Sequence, residues 1–358
     1  MERDALKDTS RVVVKFGTGI LTNRSKQIDP RQIEQLVGQV AAQREAGREV
    51  IVVSSGAVGA GMGVLNMAKR PTDLSDLQAC AAVGQSALMS TYTELFAKHN
   101  LQVAQVLLTH DDLEDKDRHL NARNTLVSLL AKGVVPIVNE NDAVSYTELK
   151  FGDNDWLASL VACLLPADLL IILTTVDGLV ENFGKKNPRT ISVVEKIDAN
   201  IQKLAGGTLS ATAVGGMDAK IRAARMTART GIPLVIASGK KKRAIANVVD
   251  GREEGTFFVP RAGKLKGRKR WIAFFHHPKG ALWVDDGARN ALRDKGKSLL
   301  PPGVSQCVGE FSKGDVVRIC DLQGTEFSRG ISRYDADEIR ARKLKGVEII
   351  HRDDLVIL

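Results

Sequence analysis

The sequence predicts an α/β protein, a three-layer αβα sandwich on a mainly parallel sheet, followed by a smaller unit of different character. Three observations carry this. Runs of Val, Ile and Leu recur along the first two-thirds of the chain, each nearly continuous, as strands buried on both faces should be. Helical patterns separate them, and strands alternating with helices imply parallel pairing under helices on both sides. Near residue 259 the alternation stops at a basic, glycine-containing stretch, beyond which short strands and turns take over.

The strand runs are "RVVVKF" (11–16), "REVIVVSS" (48–55), "LQVAQVLLT" (101–109), "GVVPIVNE" (133–140), "DLLIILTT" (168–175) and "GIPLVIAS" (231–238). Between the first two, "DPRQIEQLVGQVAAQREAG" offers Asp29 as N-cap, Pro30 at the first helical position and Gly47 as the stop. "GMDAKIRAARMTARTG" closes on Gly231, with Met217, Ile221 and Ala224 along one stripe. The segment "LASLVACLLPADLLIILTTV" (157–176) is apolar enough to suggest a membrane span, but Pro166 and Asp168 divide it into helix, turn and strand. These elements assign residues 1–258 to the first domain, 259–277 to a linker and 278–358 to the second. In the tail, "ALWVDDGARNALRDKG" reads as a strand and short helix. "GDVVRICDLQGTEFSRGISRY" reads as two strands about a Gly turn, and "VEIIHRDDLVIL" as a closing strand, together an α+β or β-barrel-like unit.

Composition narrows the class. With 358 residues, 44% hydrophobic and 26% charged, the chain is long enough for one large and one small domain. A formal charge of +9 suits anionic metabolites or nucleic acid and equally a solvated basic surface. Four cysteines without a C-x-x-C pair suggest neither a zinc ribbon nor a disulfide framework, so a reducing cytoplasm is expected. The polar opening "MERDALKDTS" lacks a secretory apolar region.

No G-x-x-x-x-G-K-[ST] is present, and "GAVGAGMG" (56–63) misses the dinucleotide spacing G-x-G-x-x-G. What remains is polar groups at successive strand ends, where an open α/β sheet gathers its ligands. After the first strand stand Lys15, Gly17 and Gly19; after the second, Ser54 and Ser55; after the fourth, Asn139, Asn141 and Asp142; after the fifth, Thr174, Thr175 and Asp177. A lysine in a buried strand calls for an anion, and close glycines let backbone N–H groups approach a phosphate. Lys220 sits about one turn into the helix after "VGG", where it either faces an anion or runs along the surface. "FGDNDWLASL" (151–160) packs Asp153, Asn154 and Asp155 against an apolar helix, a costly arrangement unless cations offset it.

In this order the segments "VVVKFGTGIL", "VIVVSSGAVGAGM", "VPIVNENDAV", "FGDNDWLASLVA", "LTTVDGL" and "GGMDAKIRAA" resemble the amino acid kinase family, and the tail resembles a PUA domain. "NENDAV" followed by "GDND" is similar to the branch that phosphorylates the side-chain carboxylate of L-glutamate with ATP, the first step of proline synthesis. The resemblance implies that Lys15 contacts the β- and γ-phosphates, with Gly17 supplying backbone donors. It implies that Lys220 stabilises the transferred phosphoryl, Asp155 holds both lysines, and Asp153 aids the metal or substrate side. Ser55, Asp142 and Asn154 match glutamate-binding positions. Thr174 and Thr175, with Val214, Gly215, Gly216, Met217, Asp218, Ala219 and Lys220, match the nucleotide segments. Many relatives carry aspartate where this chain has Thr175. The family further implies Mg²⁺ held mainly through ATP phosphates with no firm protein ligand, feedback inhibition by L-proline, and a dimer or tetramer.

Two rival readings stand beside this one. Another member of the family would act on aspartate, acetylglutamate or a nucleoside monophosphate. An RNA-binding protein would use the PUA-like tail and the basic runs 240–243 and 264–270, though few aromatics accompany them for base stacking.

Overall fold

The computed structural model describes residues 1–23, 27–145, 154–182, 184, 187–205, 216–261, 267–274 and 278–358. The chain divides into two compact units, Met1–Gly263 and Lys264–Leu358.

Each of the six apolar runs of the first unit forms a strand: β1 (Arg11–Phe16), β2 (Glu49–Ser54), β3 (Val103–Leu108), β4 (Val135–Glu140), β5 (Leu169–Thr174) and, further on, β9 (Leu234–Ser238). Four shorter strands carry no sequence pattern, because two or three residues are less than one reliable period: β6 (Val180–Glu181), β7 (Arg189–Thr190), β8 (Val193–Val194) and β10 (Thr256–Phe258). The main sheet has eight strands in the order β3-β4-β2-β1-β5-β9-β10-β8. Pairing is parallel from β3 through β9, whereas β10 runs antiparallel to β9 and carries β8 parallel to itself. The chain passes from β1 to β2 on one side and from β5 toward β9 on the other, so the order reverses between the adjacent strands β1 and β5, the position where open sheets form a crevice at their carboxyl ends.

Side chains alternate across β1. Val12, Val14 and Phe16 join a buried cluster with Leu36 and Val40 of the helix Pro30–Glu45 and with Leu88 and Phe96 of the helix Leu74–Ala97. That periodicity turns Lys15 to the opposite face, the one covered by the helix Asn154–Leu164. The helix Pro30–Glu45 begins as its sequence dictates, with the Asp29 side chain accepting from the N–H groups of Arg31 and Gln32. Within 157–176 the helix stops at Leu164 and β5 begins at Leu169; among the described residues no helix is long and apolar enough to cross a membrane.

The helix Ala57–Val64 crosses the helix Leu74–Ala97 at backbone contact. A Cβ on Gly84 would lie 1.8 Å from the Ala57 carbonyl oxygen, and one on Gly61 would lie 1.8 Å from that of Cys80. Both glycines are required by that approach.

The second unit holds a five-stranded sheet, order β12-β11-β13-β14-β15, made of β11 (Gly280–Val284), β12 (Val304–Gly309), β13 (Val316–Cys320), β14 (Glu326–Ile331) and β15 (Leu355–Ile357). β13 and β14 flank the turn at Gly324, whose φ of +81° suits glycine. The 259–277 stretch read as linker is not all linker, since Gly267–Phe274 is helical, with Ile272 and Ala273 packed on Val316 and Val356. Its basic residues hide that apolar pair from a compositional reading.

Candidate active site

At the carboxyl end of β1, Lys15 is only 6% exposed, and its Nζ lies 2.6 Å from Asp155 Oδ1. The other oxygen, Oδ2, accepts from Lys220 Nζ at 2.8 Å. One carboxylate, itself 1% exposed, therefore holds two buried ammoniums from segments far apart in sequence. Asp155 sits in the first turn of its helix, where the helix dipole favours negative charge. Burial pushes its carboxyl up, but Lys15 and Lys220 more than offset this and hold it below the ordinary carboxylate range. Lys220 is not a surface lysine: it lies on the buried stripe of the helix Met217–Arg229, which packs on the Asp155 helix through Met226 and Ser159. The group carries two positive charges and one negative, and so retains one positive charge with which to attract an anion.

The glycines after β1 keep the approach to Lys15 narrow but open. A Cβ on Gly17 would stand 3.7 Å from Lys15 Nζ and 3.2 Å from the Leu173 carbonyl oxygen, and one on Gly19 would meet Thr175 Cγ2 at 2.8 Å. Gly17 donates to the Leu173 carbonyl, which brings the loop after β1 against the end of β5 and its Thr174 and Thr175. Thr174 is half-buried and Thr175 exposed. Gly216 caps the Met217–Arg229 helix without a side-chain hydrogen bond, Met217 and Ala219 are buried, and exposed Asp218 pairs with Arg222.

Around the other side, Asn154 Nδ2 donates to Ser55 Oγ at 3.0 Å and to Asn139 Oδ1 at 3.1 Å. Asn139 in turn donates from Nδ2 to Gln85 Oε1 at 2.8 Å. Below Ser55, the hydroxyls of Ser54 and Tyr92 share a buried hydrogen bond of 2.8 Å. Asp142 is half-buried in the turn that follows β4. Asp153, Val214 and Gly215 lie outside the described residues.

The structure thus brings Lys15, Lys220 and Asp155 together, and Ser55 with Asn154. Two participants had no role assigned from sequence. Asn139 is one of several strand-end polar groups and nothing in its spacing marks it. Gln85 had a usable signal, an amide inside the otherwise small and apolar "AAVGQSALM" of a packed helix. Of the basic run 240–243, Lys241 is already engaged, by Glu254 at 2.7 Å and Asp177 at 3.2 Å. Among the described residues no group of three or more His, Cys, Asp or Glu could hold a metal ion, and none of the four cysteines forms a disulfide there.

Residues 10–238 match the model of the amino acid kinase family, and residues 280–352 match that of the PUA domain. Curated relatives align over the full length. A glutamate 5-kinase of Citrifermentans bemidjiense is 43% identical, covering 100% of this chain and 100% of its own. One of Methylococcus capsulatus is 44% identical, covering 99% of each. Among solved structures, carbamate kinase from Giardia lamblia, bound to AMP-PNP, shares the fold at TM-score 0.52 and 19% identity, over 71% of this chain and 99% of its own.

Proposed function

Because the chain belongs to the amino acid kinase family, and aligns with its glutamate 5-kinases from end to end, we propose that Lys15, Lys220 and Asp155 carry out the ATP-dependent phosphorylation of L-glutamate. The reaction moves the γ-phosphoryl of ATP to the side-chain carboxylate, giving L-glutamyl 5-phosphate, the first step of proline biosynthesis. The observation that carries the residue roles is the single buried carboxylate shared by two ammoniums.

The substrate explains why no general base is needed. A side-chain carboxyl of pKa about 4.3 is already ionised at neutral pH. The barrier is to bring that anion against a polyanionic phosphate and to stabilise charge spread over the phosphoryl in flight. Lys15, beside the glycines after β1, is suited to the β- and γ-phosphates. Lys220 is suited to the transferred group from the opposite side. Asp155 holds both ammoniums in place, so little reorganisation is required during transfer. Ser55, Asn154 and Asp142 supply hydroxyl, amide and carboxylate for the amino acid end of glutamate. Asp153 is kept in a supporting role on the metal or substrate side. Thr174, Thr175 and the 214–220 segment border the nucleotide.

Mg²⁺ fits this site as an ion carried on the phosphates, since it commonly keeps water and phosphate oxygens with few protein ligands. When bound it neutralises phosphate charge. Inhibition by L-proline, a dimeric or tetrameric assembly, a cytoplasmic setting and RNA binding through the second unit belong to the same proposal. The PUA match supports the RNA reading.

The test is ADP release by purified protein with ATP, Mg²⁺ and a panel of glutamate, aspartate, acetylglutamate and UMP, with and without proline, and with RNA binding measured in parallel. Turnover that depends on glutamate alone is expected; none with glutamate would overturn the reading.

A further inference from the structure

The three amides of Gln85, Asn139 and Asn154 form a relay whose direction is fixed by one backbone group. The Glu140 N–H donates to Asn139 Oδ1 at 2.9 Å, which identifies that atom as the oxygen and leaves Nδ2 as the donor toward Gln85. Gln85 must then accept through Oε1, and its free end is the Nε2 donor. On the other side Asn154 gives its Nδ2 to Asn139 Oδ1 and Ser55 Oγ, so its free end is the Oδ1 acceptor. Both free ends are buried and without a hydrogen-bond partner among the described residues. An unsatisfied buried donor or acceptor is costly and asks for a partner.

Gln85 is not there by accident of packing. It follows Gly84, the residue that presses its helix onto the Ala57 carbonyl just after the Ser55 loop, and it is 8% exposed. The crossing delivers the amide to the end of β4, where Asn139 is fully buried.

We infer that Gln85 is a substrate-binding residue: its Nε2 donates to the α-carboxylate of the amino acid, while Asn154 Oδ1 accepts from the α-ammonium. The assignment rests on the glutamate-kinase reading above. The lysine end of the site takes the side-chain carboxylate, which leaves the α-carboxylate for the donor end of the relay. Asp142, also at the end of β4, adds negative charge suited to the ammonium. A ligand with one carboxylate and one ammonium on the same carbon thus satisfies a donor and an acceptor that the fold leaves open.

The test compares Gln85→Met with Gln85→Glu, after wild-type protein has shown glutamate-dependent ADP release; failure at that first step overturns the kinase reading itself. Gln85→Met removes the donor and the relay bond. Gln85→Glu keeps an acceptor for Asn139 Nδ2 but replaces the donor by negative charge facing a carboxylate. Loss of a hydrogen bond to a charged group predicts a rise of about 10- to 100-fold in glutamate KM for Gln85→Met. KM for ATP should stay within about twofold, and melting temperatures near wild type report the fold. Gln85→Glu is expected to be the worse of the two. If it is the milder, Gln85 only supports Asn139 and the inference is wrong; an unchanged glutamate KM in either variant also overturns it. Where either variant costs the fold, Gln85→Asn keeps the amide but withdraws it, and the same rise in glutamate KM without a change for ATP is expected.

Discussion

Replacing Asp155 by Asn removes the charge that joins the two lysines while preserving shape. In the wild type the carboxylate lies 2.6 Å from Lys15 Nζ and 2.8 Å from Lys220 Nζ, with all three side chains buried. Without it, two ammoniums on the order of 6 Å apart repel by about 3 kcal/mol at an effective dielectric of about 20. Removing one member of a buried ionic group costs about 3–5 kcal/mol. For a domain of this size that lowers Tm on the order of 10 °C. Catalysis should suffer separately, because displacing either lysine by about 1 Å costs on the order of 100-fold in kcat. Thermal melting and steady-state ADP release read the two effects. Adding Lys15→Met to the Asp155→Asn variant removes the repulsion and should restore part of the lost Tm without restoring activity. A single variant that melts within about 2 °C of wild type and keeps kcat within about tenfold would refute the reasoning.

Three further outcomes are expected. Lys220→Ala should chiefly lower kcat, whereas Asp142→Ala should chiefly raise KM for glutamate; steady-state kinetics in both substrates decides, and equal effects on ATP affinity alone count against the roles. Because the Asp155 carboxyl titrates below its ordinary 3.8 in the folded protein, the stabilisation it gives is complete above that value and is lost as pH falls through the lower folded one. Denaturant melts at pH 7, 4 and 3 should therefore show an acid loss that Asp155→Asn diminishes. Gly84→Ala should cost about 3 kcal/mol or more, since its Cβ would fall 1.8 Å from the Ala57 carbonyl oxygen, and it should raise glutamate KM by shifting Gln85.

The main strands were readable because each is five or six residues long with Val, Ile or Leu at half or more of its positions, and the helix starting at Pro30 because cap, proline and closing glycine agree. The strands β6, β7, β8 and β10 were not, and β10 also reverses direction, which no local pattern records. The helix Gly267–Phe274 was hidden by basic residues around its apolar pair. At the site, a lysine in a strand of valines announces an unusual partner, so Lys15 was conspicuous. That its partner is Asp155, and that Lys220 shares it, depends on which side of β1 a helix crosses. The relay through Asn139 and Gln85 was least legible, since it is made by a glycine-mediated helix crossing and polarised by one backbone N–H.

The shared carboxylate also has a consequence for the order in which the molecule is made. Its two lysines come from opposite ends of the first unit, one at residue 15 and one at residue 220, with the aspartate between. No nascent or truncated chain lacking the 217–229 helix can assemble the trio. Pairing so distant in sequence is among the slower events of folding, since loop closure must precede it. The trio therefore comes into being only once the chain has been made through that helix, and by the roles proposed above a shorter chain lacks the paired ammoniums with which to engage ATP.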